Sequence, residues 1–271
     1  MRTSPLVALP RRRPSHDLAA RSLPGMLTAA VIGCEIAYPL VHGTARDRLT
    51  IATVVLFFCA SVTHAAVFRG LAWAAGLVLV AAGAGLAAEV VGVRTGWPFG
   101  DYAYTDGLGP QVLGVPVVIP LAWAMMTYPA LLVGRRLGRR ARQGRSWLAP
   151  VALAALALAS WDLFLDPQMV DAGHWRWADP SPSLPGVEGV PALNFAGWFV
   201  VALVLMAVLH GALPRGQAPE GVPATLYLWT YASSVLASAA FFDRPQVALV
   251  GGLVMGVVAL PYALALWRDR P

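Results

Sequence analysis

The sequence predicts an all-α fold, a polytopic membrane helix bundle of about eight transmembrane helices. Three observations carry that expectation. Of 271 residues, 58% are hydrophobic and only 13% are charged, outside the composition of ordinary soluble domains. The apolar residues gather into solid Ala-, Leu- and Val-rich runs, and a helix needs about 20 of them to cross the hydrocarbon. Those runs lack the period-two alternation of an outer-membrane barrel strand, so helices are the spanning structure left.

The windows, in order, are 23–41, 50–68, 71–91, 115–134, 147–165, 195–213, 223–242 and 247–267. Every basic residue is an Arg, so the formal net charge of +6 can be read by position. With both termini cytoplasmic, only Arg46, Arg48, Arg94, Arg176 and Arg244 of the twenty fall on the outer side. The remainder, including the runs Arg11–Arg13 and Arg135–Arg145, fall inside, as the positive-inside rule requires. The charge is therefore a topology signal, and no nucleic-acid partner is expected. A bacterial plasma membrane is the expected setting.

Residues 1–22 are rich in Pro and Arg and read as a basic disordered tail, with residues 23–271 forming one transmembrane domain. No small-residue cleavage site follows the first apolar run, so the tail does not read as a signal peptide. Cys34 and Cys59 both fall within predicted helices, which argues against a structural disulfide. The five His are scattered, with no metal-ligand spacing, and neither a Walker A sequence nor a dinucleotide fingerprint is present. The expectation is chemistry without a metal or cofactor.

Two segments between windows are long, 92–114 and 166–194, and both are rich in Gly, Pro, aromatics and acids. They align on each other. Glu89 is followed eleven residues later by Gly100-Asp-Tyr-Ala-Tyr-Thr-Asp106, and Asp162 eleven residues later by Gly173-His-Trp-Arg-Trp-Ala-Asp179. Gly114-Val-Pro116 then precedes Trp123 by nine residues, as Gly189-Val-Pro191 precedes Trp198. This pattern predicts a parallel internal repeat about an axis along the membrane normal, with helices 3–4 equivalent to helices 5–6. It sets Glu89 and Asp162 at matching depths on facing helices.

Acids within membrane segments cost a few kcal/mol, face the bundle interior and mark function. Glu89 and Asp162 are the foremost candidates on that ground. Asp166 shares a helix face with Asp162, about 6 Å along the axis. It also precedes Pro167, where the helix is expected to end, so capping and function both stay open for it. Glu35, in mid-helix beside Pro39, is a second-tier candidate. The pairs Tyr102/Tyr104 and Trp175/Trp177 are either an interfacial belt or the lining of a site. Asn194, just before helix 6, is either an N-cap or a polar site residue. The spacing Gly252-x-x-x-Gly256 predicts close helix packing.

The combination Glu89…Gly92-x-x-Thr95-Gly96-x-x-Phe99-Gly100-x-Tyr102-x-Tyr104, then Gly114-Val-Pro116…Trp123, resembles the membrane carotenoid hydratases, which include the bisanhydrobacterioruberin and γ-carotene hydratases. So does Trp161-Asp162…Asp166-Pro167…Gly173-x-Trp175-x-Trp177…Pro191-x-x-Asn194-Phe195-x-Gly197-Trp198. The resemblance extends over about residues 25–265, with its specific motifs confined to 89–198. It implies addition of water across the terminal double bond of an acyclic carotenoid end group, giving a tertiary alcohol. It also implies a carotenoid substrate dissolved in the bilayer among membrane lipids, with other carotenoid biosynthesis enzymes as possible neighbours.

The chemistry fits the residues. Hydrating a trisubstituted alkene takes a strong acid, then capture of a tertiary cation by water. A carboxylic acid in apolar surroundings keeps its proton near neutral pH, and several acids in one pocket divide the roles of acid and base. Aromatic faces stabilise the cation by about 0.5–2 kcal/mol each. Asp162 is the expected general acid, with Asp166 or Glu89 orienting water. Tyr102, Tyr104, Trp161, Trp175, Trp177 and Trp198 would line the end-group pocket, and Asn194 would hold the water. Two alternatives share these features: a proton-coupled transporter of a lipophilic solute, and a carotenoid end-group cyclase or isomerase.

Overall fold

The computed structural model describes residues 16–141 and 147–269. Arg2, the run Arg11–Arg13 and the first fifteen residues of the expected tail lie outside them, as do Arg142 and Arg145. Eight long helices follow one another among the described residues: α1 His16–Ala37, α2 Thr44–Arg69, α3 Leu71–Thr95, α4 Val118–Ala141, α5 Leu148–Asp171, α6 Ala192–Ala212, α7 Gly221–Ala240 and α8 Pro245–Arg268. Seven are long and apolar enough to cross a membrane. The other is α7, which dilutes its apolar residues with Thr225, Tyr227, Trp229, Thr230, Tyr231, Ser233, Ser234 and Ser238. The chain is a polytopic helical membrane protein.

Burial separates the core from the periphery. In α4, 89% of the spanning window is buried, and in α5 67%, against 22–44% in the other five spans. The two central helices approach closely because α4 presents Gly134 and Gly138 one turn apart. A Cβ at Gly134 would lie 2.3 Å from the Pro150 carbonyl oxygen, and one at Gly138 would lie 2.7 Å from Pro150 atoms. In a bilayer, where burial of apolar surface no longer drives association, such small-residue contacts are a main source of helix cohesion. Gly252 and Gly256 of α8 do pack closely, against Val235 and Tyr231 of α7. On α8, Leu249, Leu253, Val257, Leu260 and Leu264 form an exposed apolar stripe suited to lipid tails.

Helix α5 does not stop at Asp166. It runs through Pro167 to Asp171, and Asp166 is a buried residue inside it. The amides of Ala172, Gly173 and His174 bond to the carbonyls of Gln168, Val170 and Met169 and close the last turn. Those bonds and the burial of Pro167 and Met169 offset the ladder donor that proline lacks. Glu35 is likewise not in mid-helix: α1 ends two residues later, and Tyr38–Leu40 form a 3-10 turn containing Pro39.

The two long loops lie at one end of the bundle and are built from like parts. Each has an aromatic strand, then a two-stranded hairpin that leads into the next helix. In the first loop these are β1 Tyr102–Tyr104, β2 Gln111–Val112 and β3 Val115–Pro116; in the second, β4 Trp175–Trp177, β5 Ser183–Leu184 and β6 Val187–Pro191. The aromatic strands pair antiparallel with each other, Tyr102 opposite Trp177 and Tyr104 opposite Trp175. Thr105 N–H to the His174 carbonyl at 2.9 Å and Ala178 N–H to the Asp101 carbonyl at 2.8 Å extend that ribbon. Helices α3 and α5 each pack on both α4 and α6, so the ribbon spans a four-helix group.

Candidate active site

Under the ribbon, α3, α4, α5 and α6 surround a small cavity of about 30 Å³. Its walls hold Glu89, Asp166 and Asn194 among Phe99, Tyr102, Tyr104, Trp123, Trp175, Trp177 and Trp198, with Ile119, Ala122 and Leu165 completing them. Tyr102, Tyr104, Trp175, Trp177 and Asn194, for which an interfacial belt or a helix cap stood as the alternative to a site, meet at one place.

Glu89 reaches the cavity from α3 and is 4% exposed. Three donors hold it. Tyr102 and Tyr104 donate to Oε2 at 2.5 and 2.7 Å, and Trp123 Nε1 donates to Oε1 at 3.0 Å. Burial first, then the Glu89 charge, pushes the Tyr102 and Tyr104 phenols up, so both remain neutral donors. The position of Trp123 depends on Gly85, where a Cβ would lie 2.5 Å from the indole.

The second acidic wall belongs to α5. Asp166 accepts a bond from Trp175 Nε1 at 3.1 Å on one oxygen and from Asn194 Nδ2 on the other. The same Asn194 nitrogen donates to Asp162 at 2.8 Å. Asp162 is fully buried, and its other carboxyl oxygen has no partner among the described residues. Asn194 is the third residue of α6, which begins at Ala192 after Pro191. Its side chain turns inward to the acids and does not cap the helix.

Asp162 does not line the cavity; Asp166, one turn nearer the ribbon, does. The residue across from Glu89 is therefore Asp166, because α5 continues past Pro167 and carries that turn into the site. Trp161 lines an adjoining cleft of about 140 Å³ and meets Trp198 edge-on at 6.3 Å. Ile119, Ala122, Leu165 and Trp175 border both spaces, so the acid cavity is the end of a longer apolar cleft between α1, α2, α4, α5 and α7. Polar groups are few along it: Glu35, which accepts a bond from Ser233 at 3.2 Å, with Thr50, Thr53, Gln168, Thr230 and Ser234. Among the described residues, no cluster of three or more His, Cys, Asp or Glu side chains has the arrangement to hold a metal ion.

Sequence reasoning did not place Trp123 and Phe99 in the site. Trp123 was legible as the repeated Trp nine residues after Gly-Val-Pro, and it stacks on Trp198, its counterpart in the second segment. Phe99 has no comparable signal. It anchors the ribbon by accepting a bond at its carbonyl from Trp177 Nε1 at 2.9 Å.

Beside the ribbon, His174 is buried with its Nε2 3.7 Å from Asp47 of α2, beyond hydrogen-bond distance and without a hydrogen-bond partner among the described residues. Burial pushes the His174 pKa down, and the Asp47 charge opposes that shift without cancelling it.

The fold and the site define a polytopic helical membrane protein in which buried carboxyls and indoles stand at one end of an apolar cleft. The family described as "Carotenoid biosynthesis protein" matches residues 50–259, and the chain belongs to it. The bisanhydrobacterioruberin hydratase of Haloarcula japonica is 40% identical over 129 residues, a match covering 47% of this chain. The matched stretch spans only 41% of that protein's length. No solved structure matches the chain significantly.

Proposed function

We propose that the chain is a carotenoid hydratase that adds water to the terminal C=C of an acyclic end group. The observation carrying this reading is the Asp162–Asn194–Asp166 bridge at the closed end of an apolar cleft. The hydratase name of the 40% identical relative supports it.

The geometry supports the following roles. Two carboxyls that share one amide donor repel as a pair of anions and are most stable with one proton between them. Asp166, facing the cavity, delivers that proton to the less substituted alkene carbon, and Asp162 behind it shares the charge left on the pair. The C=C π electrons form the new C–H bond, and the adjacent carbon becomes a tertiary cation. Indole and phenol faces of Trp123, Trp175, Trp177, Trp198, Tyr102 and Tyr104 surround the cation, each contributing about 0.5–2 kcal/mol. Glu89, fixed by three donors on the opposite wall, supplies the counter-charge. Water attacks the cation, its oxygen forms the C–O bond, and its surplus proton returns to the aspartate pair. The net addition is one H₂O.

The two loops with like parts, the antiparallel pairing of β1 with β4 and the Trp123–Trp198 stack support a two-fold internal repeat relating helices α3–α4 to α5–α6. In this reading the halves have diverged, one wall donating the proton and the other holding charge. The carotenoid lies within the bilayer of a bacterial plasma membrane with both termini cytoplasmic, alongside the enzymes that make its substrate.

The test is expression in a bacterial host that makes lycopene or a monocyclic carotenoid, with pigments resolved by HPLC–mass spectrometry. A more polar pigment heavier by one water, lost in Asp166→Asn and in Asp162→Asn, is the expected result. A full yield from either folded variant removes the proton assignment. Unchanged pigments in the host, and again in one that makes a longer acyclic carotenoid, would sink the hydratase reading.

A further inference from the structure

A second cavity, of about 350 Å³, lies at the end of the bundle away from the acids. Arg69, Arg135, Arg139, Arg215 and His210 line it beside one carboxylate, Glu220. That carboxylate is already engaged: Arg136 binds it at 2.7 Å and Arg139 stands 3.9 Å away. Arg69, Arg139 and Arg215 all act electrostatically on Arg135.

Two of these groups are buried and incompletely satisfied. Arg135 is 7% exposed, and its terminal nitrogens donate to the carbonyls of Leu209, Leu213 and Pro214 at the end of α6. Its Nε has no partner among the described residues, and neither has Nδ1 of His210, which is 5% exposed. A buried polar group left without a partner is destabilising. Positive residues that only set topology need to be on loops. They do not need to surround one hollow with buried, unpartnered nitrogens among its lining residues.

We propose that this cavity binds a phosphate-bearing anion. A guanidinium fork matches phosphate oxygens two at a time, and basic hollows between transmembrane helices near a membrane surface receive anionic headgroups. Exposed Arg139 and Arg215 stand at the mouth, the buried groups at the back, and Trp147 with Pro150 gives an apolar flank. The ligand's negative charge offsets the positive excess of the described lining, in which Glu220 is the one carboxylate. Headgroup and free phosphate share this chemistry.

The full chain, purified in an uncharged detergent, is titrated with short-chain phosphatidylglycerol, with phosphatidylcholine of the same chains, and with inorganic phosphate. Binding is read from the unfolding midpoint and from tryptophan fluorescence. Phosphatidylglycerol should bind at least tenfold more tightly than phosphatidylcholine. That preference should vanish in Arg139→Gln/Arg215→Gln and persist in the charge-matched Arg48→Gln/Arg94→Gln at the other end. Competition by inorganic phosphate at millimolar concentration identifies free phosphate as the ligand; a lack of competition identifies the lipid. Equal binding of the two lipids with no response to phosphate overturns the proposal, as does a preference that survives in the first double variant. Should that variant not fold, Arg215→Gln alone supplies the same comparison.

Discussion

Trp123 and Trp198 stack face to face, ring centroids 4.0 Å apart and planes within 8° of parallel. One indole comes from α4 and the other from α6, and both line the acid cavity. Trp123 also donates to Glu89, so the stack couples an aromatic wall to the orientation of an acid. Trp123→Phe keeps a ring in the wall but removes the donor. Loss of a hydrogen bond to a charged group costs about 1.5–3 kcal/mol, or about ten- to a hundredfold in rate where it acts in the transition state. Pigment turnover should fall by that factor with membrane expression unchanged; full turnover would detach Glu89 from the chemistry.

Among the described residues, Asn194 is the one donor common to Asp162 and Asp166. Asn194→Leu removes it from between two buried acids. The expected outcome is a drop in turnover of at least about a hundredfold, by the same conversion of lost hydrogen bonds into rate. Asn194→Gln, which keeps an amide, should recover part of it. Comparable activity in the Leu and Gln variants would show that the bridge is only structural. HPLC of the pigments decides.

Gly134→Leu and Gly138→Leu should abolish accumulation of folded protein, because side chains there would overlap Pro150 and Ala154 of α5. Gly83→Ala, with no atom within 4 Å of its Cβ position, should be neutral or slightly stabilising. Fluorescence-detected size-exclusion chromatography of the solubilised variants separates the two outcomes. A monodisperse peak for Gly134→Leu would mean that α4 and α5 can separate without loss of the fold.

His174 gives the ribbon a pH dependence with a definite sign. Its folded pKa lies below the ordinary value of 6.5, so the unfolded chain binds the proton more readily. The resulting penalty is absent well above pH 6.5 and grows as the pH falls through that value. Unfolding midpoints at pH 7.5 and pH 5 should therefore differ more in the parent than in His174→Gln. Equal differences would place the acid sensitivity elsewhere.

Much of this architecture is legible in the sequence because a bilayer leaves few options. Apolar runs of spanning length gave the helices, and the cost of charge in lipid singled out Glu89 and Asp162. What escaped depended on contacts between helices. Pro167 is read as a helix end from local backbone sterics, yet tertiary packing carries α5 past it and turns Asp166 into the cavity. Asn194 stays ambiguous until α6 is placed beside α5, since its position in sequence suits a cap equally well. Gly134 and Gly138 sit in a stretch whose neighbouring arginines draw attention to charge, while their effect is on the distance between helix axes.

The order of the chain adds a constraint on biogenesis. A polypeptide threaded into the membrane from its N-terminus delivers Asp162 and Asp166 on α5 before Asn194 has been synthesised. For that interval two carboxyls enter a low-dielectric medium without the amide that later joins them. Helices α5 and α6 are thus best inserted as a hairpin, and a ribosome stalled between them would leave an acidic span that the bilayer disfavours.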